Sequence, residues 1–401
     1  MKTWKHTTIG PHIDLLSGYA FKSNKYSSNE NDVMLLRGDN IVQGQLRWDG
    51  VKRWSVLEVD GLSRYELKEG DIVLAMDRTW VKAGLKCARL TAEDLPCLLV
   101  QRVARMRGSD DLEIEFLYHT LLTHRFTEYV KGVQTETAIP HISTRQIREF
   151  PIHLPPLPEQ QKIAAILSTW DRAIELTEKL IAAKQKRKQA LMQQLLTGKV
   201  RLPDFDEEWS LRKAGDLFNA RSMKKHPNEP VLSVTQDQGV VRRDELDRKI
   251  SMDETTTGTY KLVEPEDFVI SLRSFQGGLE MSRLRGIVSP AYHVIRPKVK
   301  LDSEYFRHFF KSAEFIGRLA VAIIGIRDGK QIAFDDFSFL NFRFPPVEEQ
   351  SEIGRVLTLA ENEIELLQKK LASLQSQKRG LMQQLLTGKV RVNVDQETEA
   401  G

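Results

Sequence analysis

An eleven-residue sequence occurs twice in this chain, letter for letter. LMQQLLTGKVR occupies Leu191–Arg201 and again Leu381–Arg391, 190 positions later. The similarity extends upstream, because Pro-Pro-Leu-Pro-Glu-Gln at 155–160 lines up with Pro-Pro-Val-Glu-Glu-Gln at 345–350 at the same offset. Two copies of one sequence are expected to adopt one local structure, so the chain is predicted to be an internal repeat.

Each copy carries apolar residues at alternating spacings of four and three. This period of 3.5 is typical of a helix that supercoils on a partner helix. The prolines before each copy and Gly198 or Gly388 after it predict the helix ends. At about 1.5 Å per residue, roughly 39 residues make a rod of about 58 Å. The predicted coiled-coil seam consists of Ile163, Leu167, Trp170, Ile174, Ile181, Leu191, Leu195, Ile353, Leu357, Ile364, Leu367, Leu371, Leu374, Leu381 and Leu385.

The most accessible partner for each rod is the other copy. The chain order of globule, rod, globule, rod lets the second rod return beside the first, which predicts an antiparallel pair. Full overlap would place Trp170 opposite Lys378 and Lys188 beside Ala360. Such a stripe could also belong to a core-facing amphipathic helix or to a coiled coil that dimerises the chain.

Composition bounds the remaining possibilities. A chain of 401 residues with 41% hydrophobic content can bury more than one core. Its apolar runs fall short of the roughly 20 residues needed to span a bilayer, so we expect a cytoplasmic protein without a membrane segment. Two cysteines, Cys87 and Cys97, suit neither a disulfide framework nor a zinc site. Residues 1–154 carry 21 Lys/Arg against 20 Asp/Glu, so non-specific attraction to phosphate is expected to be modest.

Two globular segments resemble each other in pattern. Asp71–Leu74 echoes Asp267–Ile270, and Gln101–Arg105 echoes Tyr292–Arg296. Each segment predicts several short strands, a helix near 113–130 or 303–322, and a closing strand before the Pro-Pro turn. We therefore expect an α+β fold with two similar domains separated by two long antiparallel coiled-coil helices, related by a pseudo-two-fold internal repeat. The predicted segments are 1–154, 155–201, 202–344, 345–391 and a tail at 392–401.

Polar loops lie between these predicted strands in both globular segments. Arg and Lys suit hydrogen bonding to guanine, and Asn and Gln suit adenine, although the same side chains are common in any exposed loop. The DNA-binding candidates are Lys22, Arg37, Arg78, Trp80, Lys82, Gln134, Arg273, Gln276, Arg327 and Lys330.

The repeated helix resembles one in a known family. A globular segment, a helix that opens in LPPLPEQQKIA and ends in LMQQLLTGKVRLP, a second globule and a matching helix are together similar to the specificity subunit of type I restriction–modification enzymes. The stretch GYAFKS at 18–23 adds to the likeness. The resemblance implies target-recognition domains at 1–154 and 202–344, spacer helices at 155–201 and 345–391, and no catalytic centre in this chain.

The resemblance also implies the partners. They are double-stranded DNA, two methyltransferase subunits and, through the complex, the restriction and translocase subunits. S-adenosylmethionine, ATP and magnesium would be bound by those partner subunits. Because the loops of the two globules differ, the two halves of the DNA target should differ, with unread base pairs between them.

Two other classes of function fit the sequence less well. For an enzyme, the chain lacks a G-x-x-x-x-G-K-[ST] loop, and His119 and His124 do not have the i, i+4 spacing of a helical metal pair. A non-catalytic coiled-coil scaffold with protein-binding heads is the alternative that agrees with the balanced charge. Two unlike sets of loops on a repeated framework favour DNA recognition over that scaffold.

Overall fold

The computed structural model of the protein describes residues 3–236, 238–246, 254–323 and 332–394. The chain divides into two compact units. The first unit comprises Met1–Leu176 and Leu371–Gly401, and the second comprises Thr177–Lys370. Each unit therefore contains one globular part together with a segment of both long helices.

The first unit is built from short strands and short helices. Its strands are Lys5–Thr8, Ile13–Ser17, Val33–Leu36, Arg53–Trp54, Ile72–Ala75, Trp80–Val81, Gly84–Leu85, Cys87–Arg89, Cys97–Leu99, Val103–Gly108 and Pro151–Leu154. Its α-helices, apart from the long ones, are Ile114–Leu121, His124–Val133 and Thr144–Arg148. Its 3-10 turns are Gly10–His12, Ser23–Lys25, Val56–Glu58, Ser63–Tyr65 and Ala92–Asp94.

Four of these strands form the central antiparallel sheet of the first unit. Their order is Ile13–Ser17, Val103–Gly108, Ile72–Ala75 and Cys87–Arg89. The strand Ile72–Ala75 is buried along its whole length, so both faces of the sheet are covered. One face packs on the helices around Phe116 and Phe126, and the other packs on the smaller sheet that contains Val33–Leu36.

The second unit repeats this plan with different connections. Its strands are Ser210–Lys213, Phe218–Arg221, Leu232–Thr235, Gly239–Arg242, Lys261–Val263, Phe268–Ile270, Glu280–Met281, Gly286–Val288, His293–Pro297 and Asn341–Phe344. Its helices, apart from the long ones, are Ala214–Leu217, Ser274–Gly277, Ser303–Phe309, Ala313–Ile323 and Phe334–Ser338, with 3-10 turns at Arg243–Glu245 and Glu254–Thr259. The central sheet has the order Phe218–Arg221, His293–Pro297, Phe268–Ile270 and Glu280–Met281.

An ion pair fixes the correspondence between the two central sheets. Arg107 binds Asp71 in the first unit, and Arg296 binds Asp267 in the same place in the second. The strand pairing agrees, because Met106 lies opposite Ile72 and Ile295 opposite Phe268. The predicted alignment of Gln101–Arg105 with Tyr292–Arg296 was therefore wrong by two residues, since Arg107 and not Arg105 corresponds to Arg296.

Two long helices, Leu157–Leu195 and Val347–Leu385, dominate the helical content. Each begins directly after its Pro-Pro pair, where a missing backbone N–H does not weaken the helix. Beyond each helix end, Gly198 and Gly388 have φ of 70° and 71°, the left-handed conformation that glycine adopts without steric cost. The predicted helices near 113–130 and 303–322 are each observed as two shorter helices.

Within each unit, the two long helices run antiparallel. In the first unit Asp171 pairs with Lys378, and Glu159 pairs with Arg391. In the second unit Lys188 pairs with Glu361, and Arg201, just past the first helix, pairs with Glu349. As one residue number rises the partner's falls, which confirms the antiparallel prediction. The register agrees with the expected one to within one residue.

The fifteen predicted seam positions are all buried or half-buried in the described structure. Ile163, Leu167, Ile353 and Leu357 are among the fully buried ones, and they join the cores of the globular parts. The lower-numbered half of each long helix therefore packs on its globular domain as well as on the other helix. The fold class is α+β with an internally repeated architecture, as predicted.

Candidate nucleic-acid interface and helix clasps

Three polar segments of the first unit lie against one another beside the central sheet. They are the loop at 37–45, the hairpin at 77–86 and the segment at 131–141. Gly84 has φ of 131°, and a Cβ atom placed there would lie 2.9 Å from Gln43 Cγ, so the loop and the hairpin are in close contact. The Arg78 N–H donates to Pro140 O at 2.7 Å, which ties the hairpin to the third segment.

The hairpin carries three of the predicted DNA-binding residues. Arg78 and Lys82 are exposed, and Lys82 lies in the turn between the strands Trp80–Val81 and Gly84–Leu85. The Lys131 ammonium lies 4.3 Å from the centre of the Trp80 ring, a cation–π contact that holds the half-buried indole in place. The structure thus brings Arg78, Trp80 and Lys82 onto one surface element.

Lys86, which the sequence did not single out, is the last residue of the hairpin, and its ammonium lies beside the loop at 37–45. Its pKa is lowered, chiefly because burial disfavours the charged ammonium; Arg78 lowers it further, whereas Asp39 and Asp77 raise it. The Lys86 ammonium is thus a half-buried positive group with Asp39, Asp77 and Arg78 around it. The sequence gives no sign of this environment, because the surrounding charges include Asp39, which is distant from Lys86 in the chain.

The other candidates of the first unit have different environments. Arg37 pairs with Asp39 at 3.3 Å within the loop. Gln134 is half-buried, and its Oε1 meets no hydrogen-bond donor among the residues that the structure describes. Lys22 is exposed at the start of the 3-10 turn Ser23–Lys25, which packs beside the separate cluster around Trp54. Lys22 is therefore not placed with the hairpin residues by any described contact.

In the second unit, Arg273 and Gln276 belong to one short helical turn. Both are exposed beside the helix Ser274–Gly277. The Gln236 side-chain amide donates to Arg273 O at 3.3 Å, so this turn lies next to the loop that follows Leu232–Thr235. Two further candidates, Arg327 and Lys330, lie outside the described residues.

A second arrangement, which we call the clasps, explains the ends of the sequence repeat. Clasp 1 consists of Trp4, Glu159 and Arg391, and clasp 2 consists of Trp209, Glu349 and Arg201. In clasp 1 the Arg391 Nε and Nη2 atoms donate to the two Glu159 carboxylate oxygens at 2.5 and 2.6 Å, and the Trp4 indole N–H donates to Glu159 Oε2 at 3.1 Å. The Arg391 guanidinium also lies 5.5 Å from the centre of the Trp4 ring.

Clasp 2 has the same geometry. Arg201 donates to Glu349 at 2.7 and 2.6 Å, Trp209 donates to the same carboxylate at 3.2 Å, and the Arg201 guanidinium lies 5.6 Å from the Trp209 ring. These hydrogen bonds raise the pKa of both arginines. Each carboxylate is buried and each arginine is partly exposed, so each clasp is a bidentate pair that is buried on the carboxylate side. The last residue of each eleven-residue copy thus binds the Glu of the other copy's Pro-Pro-x-x-Glu-Gln sequence.

Adjacent glutamines reinforce the clasps. The Gln160 amide donates to Asp111 O and Pro155 O and accepts from the Glu113 N–H. Gln350 likewise donates to Pro345 O and accepts from the Asp302 N–H. Because these side chains are buried and satisfied, the sequence Glu-Gln after the prolines is explained as the anchor between helix and globule.

Buried titratable groups offer no reactive centre among the described residues. Burial raises the pKa of Cys87 and Cys97 to about 12, so both thiols stay protonated. Burial lowers the pKa of His119 and His308 to about 3, with further repulsion from cations including Lys378 and Arg307 respectively, so both imidazoles are neutral. In the described parts of the chain, no three His, Cys, Asp or Glu side chains are grouped so as to hold a metal. No described helix combines the length and the apolar character needed to cross a bilayer.

The family model of the type I restriction modification DNA specificity domain matches the chain twice, over residues 1–184 and 206–376. The match covers most of the chain, so the protein belongs to this family, which is a class of specificity proteins and not of enzymes. It thereby confirms the resemblance that the repeated helix suggested.

Curated relatives carry corresponding names. The chain is 33% identical over 207 residues to the type I restriction enzyme MjaVIII specificity subunit of Methanocaldococcus jannaschii, covering 51% of this chain and 48% of the relative. It is 34% identical over 178 residues to the EcoAI specificity subunit of Escherichia coli, covering 44% of this chain and 29% of the relative. The matched part thus spans about half or less of these relatives' length. A crystal structure of the type I restriction–modification S subunit from M. genitalium shares the fold, with a TM-score of 0.60, 14% identity and 96% of both chains covered.

Proposed function

We propose that this chain is the non-catalytic specificity subunit of a type I restriction–modification complex. It recognises an asymmetric, two-part sequence in double-stranded DNA with an unread spacer, and it docks two methyltransferase subunits. Residues 1–154 and 202–344 act as the two target-recognition domains, and the helical segments 155–201 and 345–391 act as the spacer. The restriction and translocase subunits join through the complex, in the cytoplasm where the DNA lies.

The observation that carries this proposal is that the two units share a central sheet but differ in the segments that follow its strands. The Asp71–Arg107 and Asp267–Arg296 pairs and the four-stranded sheets around them correspond. After the strand Ile72–Ala75, the first unit has the hairpin at 77–86. After the corresponding strand Phe268–Ile270, the second unit has the short helix Ser274–Gly277. Conserving the frame while changing the loops is what two recognition domains for two different half-sites require.

The charge distribution supports base recognition over general phosphate binding. The two globular segments carry nearly equal numbers of basic and acidic residues. Non-specific affinity for DNA scales with the number of phosphates neutralised, so this subunit alone should bind random DNA weakly. Much of the affinity would then come from base contacts and from the methyltransferase partners.

The outer surfaces of the long helices suit those partners. Leu366 in the second unit is 66% exposed, and Leu359 on the same helix is also exposed. Leu176 in the first unit, which stands 190 positions before Leu366, is exposed as well. Because both copies of the repeat present a leucine at the same position, two copies of one partner are the occupants that fit. S-adenosylmethionine, ATP and magnesium would be bound by the partner subunits.

The test is to express this chain with its methyltransferase in a host that lacks other modification systems, and to sequence the methylated positions. The expected result is adenine methylation at one asymmetric, interrupted sequence. Replacing residues 1–154 by the first globule of another family member should change one half of that sequence only.

Two outcomes would contradict the proposal. A change in both halves after the exchange would exclude separate recognition by each domain. No sequence-dependent methylation at all, together with stable binding of a protein partner by the globular domains, would favour the alternative of a non-catalytic scaffold with protein-binding heads.

A further inference from the structure

Arg102 occupies a turn whose backbone does not suit an arginine. The turn joins the strands Cys97–Leu99 and Val103–Gly108, and the Val103 N–H donates to Val100 O at 3.2 Å. The φ angle of Arg102 is 65°, in the left-handed region that favours glycine and asparagine. An arginine is less favourable there than a glycine, as it is at Arg78, so the turn is a place to look for a functional side chain.

The backbone around this turn is tied to both neighbouring segments. Met76 N–H donates to Arg102 O at 2.8 Å, and Ile142 N–H donates to Met76 O at 2.9 Å. Three pieces of chain, at 76–78, 102 and 140–142, are thus held side by side. They bring the side chains of Asp77, Arg102 and His141 together beside the hairpin at 77–86.

Asp77 pairs with one end of the Arg102 guanidinium, and His141 orients Asp77. His141 Nδ1 donates to Asp77 Oδ1 at 2.7 Å. Arg102 Nη1 lies 3.6 Å from that same oxygen and 3.3 Å from His141 Nδ1. The Asp77 carboxylate and the imidazole are largely covered, whereas the Arg102 side chain is 60% exposed.

The two arginines of the strand that follows this turn have other roles. Arg107 donates from Nε and Nη2 to both oxygens of Asp71, and Arg105 is buried against Asp14. Within the part of the chain that the structure describes, the ion-pair partner of Arg102 is Asp77, reached through Nη1. Its Nη2 and Nε donors therefore remain for a ligand, and the ion pair through Nη1 keeps the guanidinium beside the hairpin.

The nearby carboxylate indicates what kind of ligand fits. A phosphate placed against Arg102 would meet the negative charge of Asp77, which offsets the attraction of the guanidinium. A neutral acceptor pair does not suffer this repulsion. The O6 and N7 atoms of guanine form such a pair in the major groove, and arginine is its commonest partner.

We propose that Arg102 is a specificity-determining residue that contacts a guanine in the half-site recognised by the first domain, with Asp77 and His141 as positioning residues. The inference rests on the proposed function, because it presupposes that the first domain recognises DNA. The proposal assigns the recognition of one base pair to the turn that contains Arg102. Arg102 is not among the candidates predicted from the sequence.

The experiment uses the complete complex with its methyltransferase and compares methylation at the full target with methylation at targets changed at each single base pair. Arg102→Ala should reduce discrimination at one guanine of one half-site by roughly 5- to 150-fold, the factor that one bidentate base contact supplies. Discrimination at every other position should stay as in the wild type. Arg145→Ala is the matched control, because Arg145 is an exposed arginine of the same domain that pairs with Glu149 on its own helix.

The positioning residues are tested at the same base pair. His141→Ala should relax the same guanine by a smaller factor, and His141→Gln, which keeps a donor for Asp77, should restore part of it. A purely structural role would instead lower methylation of all targets alike. Arg102→Lys keeps the charge but not the bidentate geometry, so it should relax the same position even if Arg102→Ala fails to fold.

The outcomes separate the two proposals. Unchanged base preference in a folded Arg102→Ala or Arg102→Lys complex, or equal weakening on all targets, would overturn the role of Arg102 and leave the proposed function intact. A wild-type complex without any interrupted target sequence would instead overturn the proposed function itself.

Discussion

Loss of Arg391 from clasp 1 should destabilise the first unit. Arg391→Ala removes two charge-assisted hydrogen bonds from Glu159, whose side chain is 4% exposed and retains only the Trp4 indole as a donor in this clasp. Breaking a buried pair from one side costs about 3–5 kcal/mol. Because Arg391 itself is about a quarter exposed, water screens part of the interaction, and we expect a loss of about 2–3 kcal/mol.

The assay follows the two units separately. For a unit of about 200 residues, each kcal/mol lowers the melting temperature by roughly 2–4 °C, so a decrease of about 4–12 °C is expected. Hydrogen exchange followed by mass spectrometry should show faster exchange in Met1–Leu176 and Leu371–Gly401. Arg201→Ala is the matched control, because it opens clasp 2 and should accelerate exchange in Thr177–Lys370 instead.

A second substitution identifies the cause. Arg391→Ala combined with Glu159→Gln replaces the orphaned carboxylate by a neutral amide that still accepts from Trp4, so about half of the lost stability should return. If the double variant is no more stable than Arg391→Ala alone, the buried charge is not the source of the loss. If Arg391→Ala and Arg201→Ala destabilise the same residues, the clasps do not act within their own units.

Substitutions of His119 and of two glycines give further predictions about the free energy of unfolding. His119 is neutral when folded, with a pKa of about 3, but takes a proton near pH 6.5 when unfolded, so stability is lost as the pH falls from about 6.5 towards 3. At pH 5 this loss is about 2 kcal/mol, and His119→Phe should remove it in urea unfolding; equal pH dependence of the two proteins would contradict the assignment. Gly388→Ala places an alanine in a left-handed conformation and should lower the free energy of unfolding by about 1–2 kcal/mol. Gly380 is in an exposed helical position with no atom within 4 Å of an added Cβ, so Gly380→Ala should raise the free energy of unfolding by about 0.5–1 kcal/mol, as measured by thermal unfolding. Equal shifts of one sign for both glycines would refute this explanation.

The long helices could be predicted because their signal is local and repeated. A 3.5-residue period, a Pro-Pro start and a Gly end occur in both copies, and the chain order alone suggested the antiparallel partner. The globular segments carry weaker signals. Short strands gave the fold class, but the alignment around Arg105 missed by two residues, because hydrophobic alternation is unchanged by a shift of two.

The clasps and the Arg102 turn illustrate what sequence could not supply. Arg391 and Glu159 are 232 positions apart, and nothing local to either residue indicates the other. The Glu-Gln and Thr-Gly-Lys-Val-Arg sequences are both duplicated, which indicated that the two ends of the repeat have a shared role but not that they are in contact. Arg102 lies in a strand-like pattern, and its left-handed backbone and its contact with Asp77 become visible only in three dimensions.

In the proposed function, the paired helices set the distance between two half-sites of different sequence. One heptad inserted into each long helix, after Leu176 and after Leu371, falls between the pairs Asp171–Lys378 and Lys184–Glu363 and preserves the seam. Seven residues add about 10 Å, or about three base pairs at 3.4 Å each. Sequencing of the methylated sites should show the same two half-sites with an unread gap about three base pairs longer; an unchanged gap, or altered half-sites, would contradict the account.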